Sequence, residues 1–223
     1  MIVLHHLENS RSQRVLWLLE ELGLDYRVQR YARDAKTMLA PPELRQVHPL
    51  GKSPVIEDAG QVVAESGLIA EYLVERHGRG SGLMPAIGTP ANLRCRYWLH
   101  YAEGSAMPPL LLSLVFSKVR SAPAPFFVRP IARAIADRVR STFIGPQLRL
   151  HTDYMEQALA DTGWFAGPDF SVADIQMSFP VEALAARSGL DAQPNLRDWL
   201  ARIQARPAYQ RALAAGGPYT ILD

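Results

Sequence analysis

The chain has 223 residues, of which 48% are hydrophobic and 21% are charged, and its formal net charge is +2. This composition is typical of a soluble globular protein that is long enough to bury a substantial core. The single cysteine, Cys95, excludes an internal disulfide and any metal site with several cysteine ligands, and we expect no metal. The N-terminus has no secretory pattern and no apolar segment is long enough to cross a bilayer, so we expect a cytoplasmic protein without a membrane partner.

A basic stretch lies between Gly104 and Leu150, which contains seven Lys or Arg residues and one acidic residue, Asp137. Such a stretch either attracts an anionic ligand or forms the solvated face of a helix with a loop, and the second interpretation is favoured. No nucleic-acid-binding motif accompanies the charge, so we expect no nucleic-acid partner.

The first eighty residues alternate between strand and helix patterns. Short apolar runs predict strands at Ile2 to His6 and at Tyr26 to Arg30, with a helix of apolar spacing from Ser12 to Leu22 between them. A short helix is predicted around Glu43 to Val47. Because two strands joined by a helix form a right-handed crossover, the first two strands should be parallel.

A hairpin and a helix complete this first unit. The hairpin strands are predicted at Val55-Ile56 and at Val62 to Ala64, with a turn at Asp58 to Gly60 between them. A helix follows from Gly67 to His77. The order of these elements predicts a small α/β domain over residues 1–80.

The second half of the chain is helical in pattern. The Gly- and Pro-rich stretch from Gly78 to Pro90 is typical of a linker. Apolar residues at spacings of three and four then predict four long helical segments, which are Asn92 to Phe116, Arg129 to Leu159, Val172 to Arg187 and Leu196 to Ala205. Ser171 and Asp174 resemble a capping box ahead of the third segment. We therefore predict an all-α domain over residues 89–223.

A proline stands directly before the first hairpin strand. The bond between Ser53 and Pro54 is either cis, as in many tight turns, or trans, as at an edge strand. A cis bond would turn the backbone N–H and C=O of Ser53 into open space, where they could pair with the peptide groups of an extended ligand. Lys52, just before this pair, could hold a carboxylate of that ligand.

A polar pair, Glu65-Ser66, follows the second hairpin strand without an intervening loop. Ser66 is a candidate N-cap of the next helix, whose free N–H groups and partial positive charge suit a carboxylate. The alternative is a simple cap, with Glu65 as its charge complement. Together with Ser53, the pair describes a groove for a peptide-like ligand that carries a carboxylate at one end.

A third candidate group lies where the first strand leads into the first helix. Asn9 and Ser10 stand two or three residues before that helix, and either side chain could donate a hydrogen bond to an anion. The alternative is that both are turn or cap residues. The sequence leaves both interpretations open.

Four segments, in this order, resemble the cytosolic glutathione transferases over essentially the whole chain. They are SRSQRVLWLLEELGL, HPLGKSPVI, the ES pair before a helix, and FSVADI in the helical half. The resemblance is to the serine-type members, a theta-like subgroup of bacteria and fungi. It implies a thioredoxin-like first domain, an all-helical second domain, and a homodimer.

The resemblance also implies roles for individual residues at the glutathione site. Pro54 matches the cis-proline, and Ser53 matches the residue whose backbone pairs with the cysteinyl part of glutathione. Glu65 and Ser66 match the pair that binds the γ-glutamyl end, and Lys52 matches a residue near the glycyl carboxylate.

Two further roles follow from the same resemblance. Ser10 matches the hydroxyl that activates the thiol, with Asn9 as the next candidate. Glu103 is the candidate acid that meets the γ-glutamyl ammonium from the neighbouring subunit. The second substrate would be a small hydrophobic electrophile or a hydroperoxide bound between the domains, and no cofactor beyond glutathione as co-substrate is implied.

The chain also departs from some members of the family. It has no cysteine near position 10 and no tyrosine at positions 5 to 7, so chemistry at a protein thiol and the tyrosine-type classes fit poorly. The alternative function is a glutathione-binding scaffold with little turnover. A thioredoxin-like redox protein is excluded because the chain has no CxxC pair.

Overall fold

The structure is a computed structural model that describes residues 1–217 and 219–221. The predicted helical domain was drawn to residue 223, and its positions 218, 222 and 223 lie outside the described residues.

The N-terminal half contains one four-stranded sheet. Its strands are β1 (Ile2–Leu7), β2 (Tyr26–Tyr31), β3 (Val55–Asp58) and β4 (Gln61–Ala64). Their order across the sheet is β2-β1-β3-β4, with β1 parallel to β2 and β3 antiparallel to both β1 and β4. The predicted parallel crossover and the predicted hairpin are both confirmed.

Three helices belong to this sheet, and they are α1 (Ser12–Leu22), α2 (Leu44–Val47) and α3 (Ser66–His77). The first ends at Gly23, which adopts the left-handed conformation that glycine tolerates and returns its N–H to the carbonyls of the last turn. The apolar residues of α1 from Val15 to Leu19 are buried, and Leu22 is partly buried. The periodicity of this segment therefore predicted its helix correctly.

The C-terminal half is helical. Its helices are α4 (Pro90–Tyr101), α5 (Met107–Ser121), α6 (Arg129–Val139), α7 (Gly145–Ala160), α8 (Val172–Ser188), α9 (Pro194–Gln204) and α10 (Pro207–Gly216). The two halves together form the predicted architecture, an α/β thioredoxin-like domain followed by an all-α domain. None of the described helices is both long enough and apolar enough to cross a membrane.

Two of the predicted long helices are interrupted. A π-helical turn at Ala102–Ala106 separates α4 from α5, and a second at Arg140–Ile144 separates α6 from α7. Pro108 lies in the first turn of α5, where the missing proline N–H is tolerated. Apolar periodicity did not predict these turns, because each spans only five residues between two helices, too few to stand out in a pattern that is read over a longer window.

Helix α8 connects the two halves. All residues from Val172 to Leu184 are buried, and the helix packs against α1 and α3 of the sheet domain as well as α4 and α9. Its start is held by the predicted capping box between Ser171 and Asp174, which is present. The Asp174 carboxylate also accepts hydrogen bonds from the Phe165 N–H at 3.0 Å and the Trp199 indole at 2.9 Å.

Candidate active site

Three chain segments meet at one end of the sheet. Since β3 is antiparallel to β1 and to β4, the end of β1 at Leu7, the start of β3 at Val55 and the end of β4 at Ala64 lie at the same edge. The segments that continue from these three points carry the polar residues that the sequence singled out. The sheet topology alone therefore brings the candidate site together.

The Ser53–Pro54 peptide bond is cis, as the resemblance implies. The Ser53 hydroxyl donates to the His5 carbonyl at 2.8 Å and accepts from the Leu7 N–H at 3.2 Å, which ties this segment to the end of β1. Among the described residues, nothing pairs with the backbone N–H or C=O of Ser53. Lys52 is exposed beside it.

Helix α3 begins at Ser66, and Glu65 occupies the N-cap position. The prediction that Ser66 is the N-cap is therefore wrong. Glu65 has a φ of 71°, a conformation that few residues other than glycine adopt and that recurs at functional sites. This abrupt turn from β4 into α3 leaves the Glu65 side chain exposed and buries Ser66.

The Ser66 hydroxyl oxygen accepts two hydrogen bonds. One comes from the Arg14 guanidinium, Nη2 to Oγ, at 3.1 Å, and the other comes from the Gln176 amide, Nε2 to Oγ, at 3.2 Å. Arg14 lies on α1 and Gln176 lies on α8, so Ser66 is held by both halves of the molecule. Only 5% of Ser66 is exposed.

Ser10 lies in the turn between β1 and α1 and is 5% exposed. Its Oγ accepts a hydrogen bond from the Ser12 N–H at 3.2 Å and lies 2.8 Å from the Ser12 hydroxyl oxygen. The Ser12 hydroxyl lies in turn 2.8 Å from Nδ1 of His6. Burial is the main cause that lowers the pKa of His6 to about 4, so its ring is neutral.

Asn9 has a different environment from Ser10. Its φ of 47° is a left-handed conformation that asparagine tolerates better than most residues. Its side-chain Oδ1 accepts a hydrogen bond from the Thr220 N–H at 2.7 Å, so the amide is tied to the C-terminal segment. The structure thus places both candidates for thiol activation in one turn, with different partners.

Glu103 lies on the π-helical turn after α4 and forms ion pairs within its own chain. Its carboxylate accepts hydrogen bonds from Nε of Arg11 at 2.8 and 2.9 Å and from Nη2 of Arg14. Both guanidinium groups lie over the ring of Phe179, at 5.2 and 5.4 Å from its centroid. The proposed contact of Glu103 with a ligand of a second subunit stays a prediction.

We did not identify Arg11, Arg14 or Gln176 from the sequence as residues of the site. Arg14 is fully buried, and its Nη1 donates to the Gln176 backbone carbonyl at 2.6 Å. One signal was present, because Arg14 stands four residues before Leu18 and so lies on a buried face of the helix. For Gln176 the sequence offered no comparable signal, because other polar residues, Asp174, Ser178 and Glu182, recur along the same segment.

Two other features lie away from this edge of the sheet. Cys95 is fully buried, and burial raises the pKa of its thiol to about 11, so the thiol is not reactive at neutral pH. A cavity of about 640 Å³ between α4 and α7 is lined by aromatic residues that include Tyr97, Trp98 and Tyr154. None of the predicted glutathione-site residues lines this cavity.

Known proteins resemble the chain in both halves. Residues 1–75 match the family model for the glutathione S-transferase N-terminal domain, and residues 146–207 match the model for the glutathione S-transferase C-terminal domain. Glutathione S-transferase 3 of Schizosaccharomyces pombe is 38% identical over 93% of this chain and 85% of its own length. Glutathione S-transferase 1 of Saccharomyces cerevisiae is 33% identical over 98% of both chains.

A solved structure agrees with these matches. A glutathione S-transferase from Actinobacillus pleuropneumoniae superimposes with a TM-score of 0.79 and 33% identity, over 96% of this chain and 92% of that one. Sequence and fold therefore point to one conclusion over nearly the whole length of the chain. The chain belongs to the glutathione S-transferase family of enzymes, which use glutathione as their co-substrate.

Proposed function

We propose that glutathione binds along this edge of the sheet and that the Ser10 hydroxyl stabilises its thiolate for attack on an electrophile. The observation that supports the proposal is the convergence of Ser10, the free backbone groups of Ser53 and the start of α3 at one end of the sheet. A tripeptide laid across these three segments meets a different kind of binding group at each.

Each group suits one part of glutathione. The backbone N–H and C=O of Ser53 pair with the cysteinyl residue as an added strand would. The exposed Glu65 carboxylate binds the γ-glutamyl ammonium, while Ser66 and the free N–H groups of α3 bind the γ-glutamyl carboxylate. Lys52 binds the glycyl carboxylate, and in this arrangement the sulfur faces Ser10.

Only a small free energy is needed to keep the glutathione thiol ionised at neutral pH. A free thiol has a pKa of about 8.5, and lowering it by about two units requires about 2.7 kcal/mol. A hydrogen bond to a charged group contributes about 1.5–3 kcal/mol, and a helix N-terminus adds about 0.3–1 kcal/mol. The Ser10 hydroxyl and the N-terminus of α1 together meet this requirement.

The reaction then follows from the charge on sulfur. The thiol proton leaves to solvent, the thiolate forms a carbon–sulfur bond with the electrophile, and the leaving group departs with its electron pair. With a hydroperoxide, the thiolate forms a bond to oxygen as the O–O bond breaks, and the departing alkoxide takes a proton from solvent. A second glutathione then reacts with the resulting sulfenic acid, which forms the disulfide and releases water. The hydroperoxide reaction is the second activity that we propose for the same thiolate.

The test is the Ser10→Ala variant. We expect the ultraviolet absorbance of bound thiolate to titrate about one to two pH units higher than in the wild-type protein, and kcat with a model electrophile to fall at least tenfold near pH 6.5. Ser141→Ala removes an exposed hydroxyl from the helical domain and serves as the matched control. If Ser10→Ala leaves both signals unchanged, Asn9 becomes the candidate.

A scaffold with little turnover is the competing function. It is favoured if the protein binds glutathione but shows no glutathione-dependent turnover with any of a panel of electrophiles and hydroperoxides. The position of Ser10 favours the enzyme, because a scaffold has no need for a buried hydroxyl beside the N-terminus of α1.

A homodimer and a cytoplasmic location stay predictions. The exposed apolar residues of the sheet domain, Val62 on β4 and Leu68 on α3, and those of the helical domain, Leu93 and Tyr97 on α4, are compatible with a contact between two copies. Light scattering at micromolar concentration should give the mass of two chains. The mass of one chain would exclude the role of Glu103 at a neighbouring site.

A further inference from the structure

The hydroxyl of Ser66 has its accepting capacity filled by the protein. A hydroxyl group offers one proton and two lone pairs. Arg14 Nη2 and Gln176 Nε2 both donate to Ser66 Oγ, at 3.1 and 3.2 Å. Within residues 1–217 and 219–221, nothing accepts the Ser66 proton. The proton is therefore available to a ligand, and a ligand that can only accept hydrogen bonds is the complementary one.

The two donors cannot easily turn away from Ser66. Arg14 is 2% exposed, and it is held at three further points, since Nη1 donates to the Gln176 backbone carbonyl and Nη2 to Glu103, while its guanidinium lies over the Phe179 ring. Gln176 is 1% exposed and lies in the middle of the buried helix α8. The Arg14 guanidinium has no acceptor atom, and the Gln176 amide presents its nitrogen to Ser66 Oγ.

The charge around Ser66 favours the same kind of ligand. Arg11 and Arg14 share the single carboxylate of Glu103, so this cluster carries one net positive charge beside the start of α3. The first N–H groups of a helix add partial positive charge at that point. A carboxylate placed against Ser66 thus receives a hydrogen bond and a favourable potential from the same side.

We propose that Arg14 and Gln176 are positioning residues that hold the Ser66 hydroxyl as a donor and so select glutathione by the α-carboxylate of its γ-glutamyl residue. This inference rests on the proposed function, in which Ser66 binds that carboxylate. It adds that Gln176, a residue of the helical domain, makes the hydroxyl of Ser66, a residue of the sheet domain, a hydrogen-bond donor to the ligand.

The experiment compares glutathione with γ-aminobutyryl-cysteinylglycine, which is glutathione without that carboxylate. For the wild-type protein we expect KM to be at least about tenfold lower for glutathione than for the analogue, because a hydrogen bond to a charged group is lost. Gln176→Glu places an acceptor beside Ser66 and captures its proton. We expect it to raise KM for glutathione about tenfold, to leave KM for the analogue and kcat nearly unchanged, and so to abolish the discrimination.

Gln176→Leu is the matched control. It removes one of the two donors, leaves Arg14 in place and introduces no acceptor, so the discrimination should fall by about threefold, a smaller loss than in Gln176→Glu. A merely structural role would make the apolar variant at least as harmful as the charged one, or would raise KM for both substrates alike, and either result overturns the proposal. If Gln176→Glu does not fold, Gln176→Leu decides alone, since wild-type discrimination in that variant overturns the role of Gln176.

Ser66→Ala separates this proposal from the proposed function. If Ser66→Ala leaves the discrimination intact, the carboxylate does not bind Ser66 and the assignment of the site itself fails. If Ser66→Ala abolishes the discrimination while Gln176→Glu preserves it, only the role of Gln176 and Arg14 fails.

Discussion

The hydroxyl oxygens of Ser10 and Ser12 lie 2.8 Å apart, so one of the two hydroxyls donates a hydrogen bond to the other. The Ser12 hydroxyl also reaches the Leu7 carbonyl, at 3.2 Å. A carbonyl can only accept and a hydroxyl has one proton, so Ser12 donates to Leu7 and Ser10 donates to Ser12. In the ligand-free protein, the proton that a thiolate needs is engaged in this chain of three residues.

The first prediction concerns the competition between Ser12 and the glutathione thiolate for the proton of Ser10. In Ser12→Ala the Ser10 hydroxyl no longer has a protein acceptor, so it donates to sulfur at no cost. We expect the pKa of the bound glutathione thiol to stay the same or to fall by up to about half a unit, whereas Ser10→Ala raises it. Titration of the thiolate absorbance in both variants measures the two directions. A rise in Ser12→Ala as large as that in Ser10→Ala would contradict the assigned direction of the chain.

The second prediction concerns the ion pairs of Glu103. Arg14 is buried, so Glu103→Gln leaves a buried guanidinium without its compensating charge. We expect the free energy of unfolding to fall by about 2–4 kcal/mol, somewhat less than for a fully buried pair, because the Glu103 side chain is 32% exposed. Denaturant unfolding measures this loss.

An exposed pair gives the control for this experiment. Asp137→Asn removes the partner of Arg120, and both side chains of that pair are about half exposed, so we expect a loss below about 1 kcal/mol. Equal losses in the two variants would show that Arg14 does not depend on Glu103.

The third prediction concerns pH and Glu182. This carboxyl on α8 accepts hydrogen bonds from the hydroxyls of Tyr209 and Tyr219, and burial raises its pKa to about 7 from 4.5. Between these two values the folded protein keeps a proton that the unfolded chain has lost, so the contribution of Glu182 to stability is lost as pH rises from about 4.5 to about 7.

Glu182→Gln removes this titration. Relative to wild type, the variant should gain about 3 kcal/mol of unfolding free energy between about pH 4.5 and about pH 8, an order-of-magnitude value that follows from the interval between the two pKa values. Unfolding curves at both pH values measure the change, and Glu75→Gln, at an exposed position, should show no such gain. A pH-independent difference in Glu182→Gln would show that Glu182 is charged in the folded protein at neutral pH.

Most of the secondary structure could be predicted from local sequence patterns. The strand β1, the helix α1 and the capping box at Ser171 follow from periodicity and from residues close together in sequence, and these predictions are confirmed. The short helix α10 was missed, and both π-helical turns were missed, because their hydrophobic pattern is indistinguishable from that of a continuing helix or a tail. The cap of α3 was assigned one residue too late for a related reason, since the left-handed turn at Glu65 has no signature in composition.

By itself, the sequence determined which polar residues stand at the ends of β1, β3 and β4, because strand and helix periods are local properties of the chain. Only the tertiary structure decided that the Ser66 hydroxyl accepts hydrogen bonds from the protein and is left as a donor to a ligand. Ser66 receives its hydrogen bonds from Arg14, 52 residues before it, and from Gln176, 110 residues after it. Contacts of this range depend on how α1, α3 and α8 pack, and packing is a collective property of the buried core that no short segment encodes.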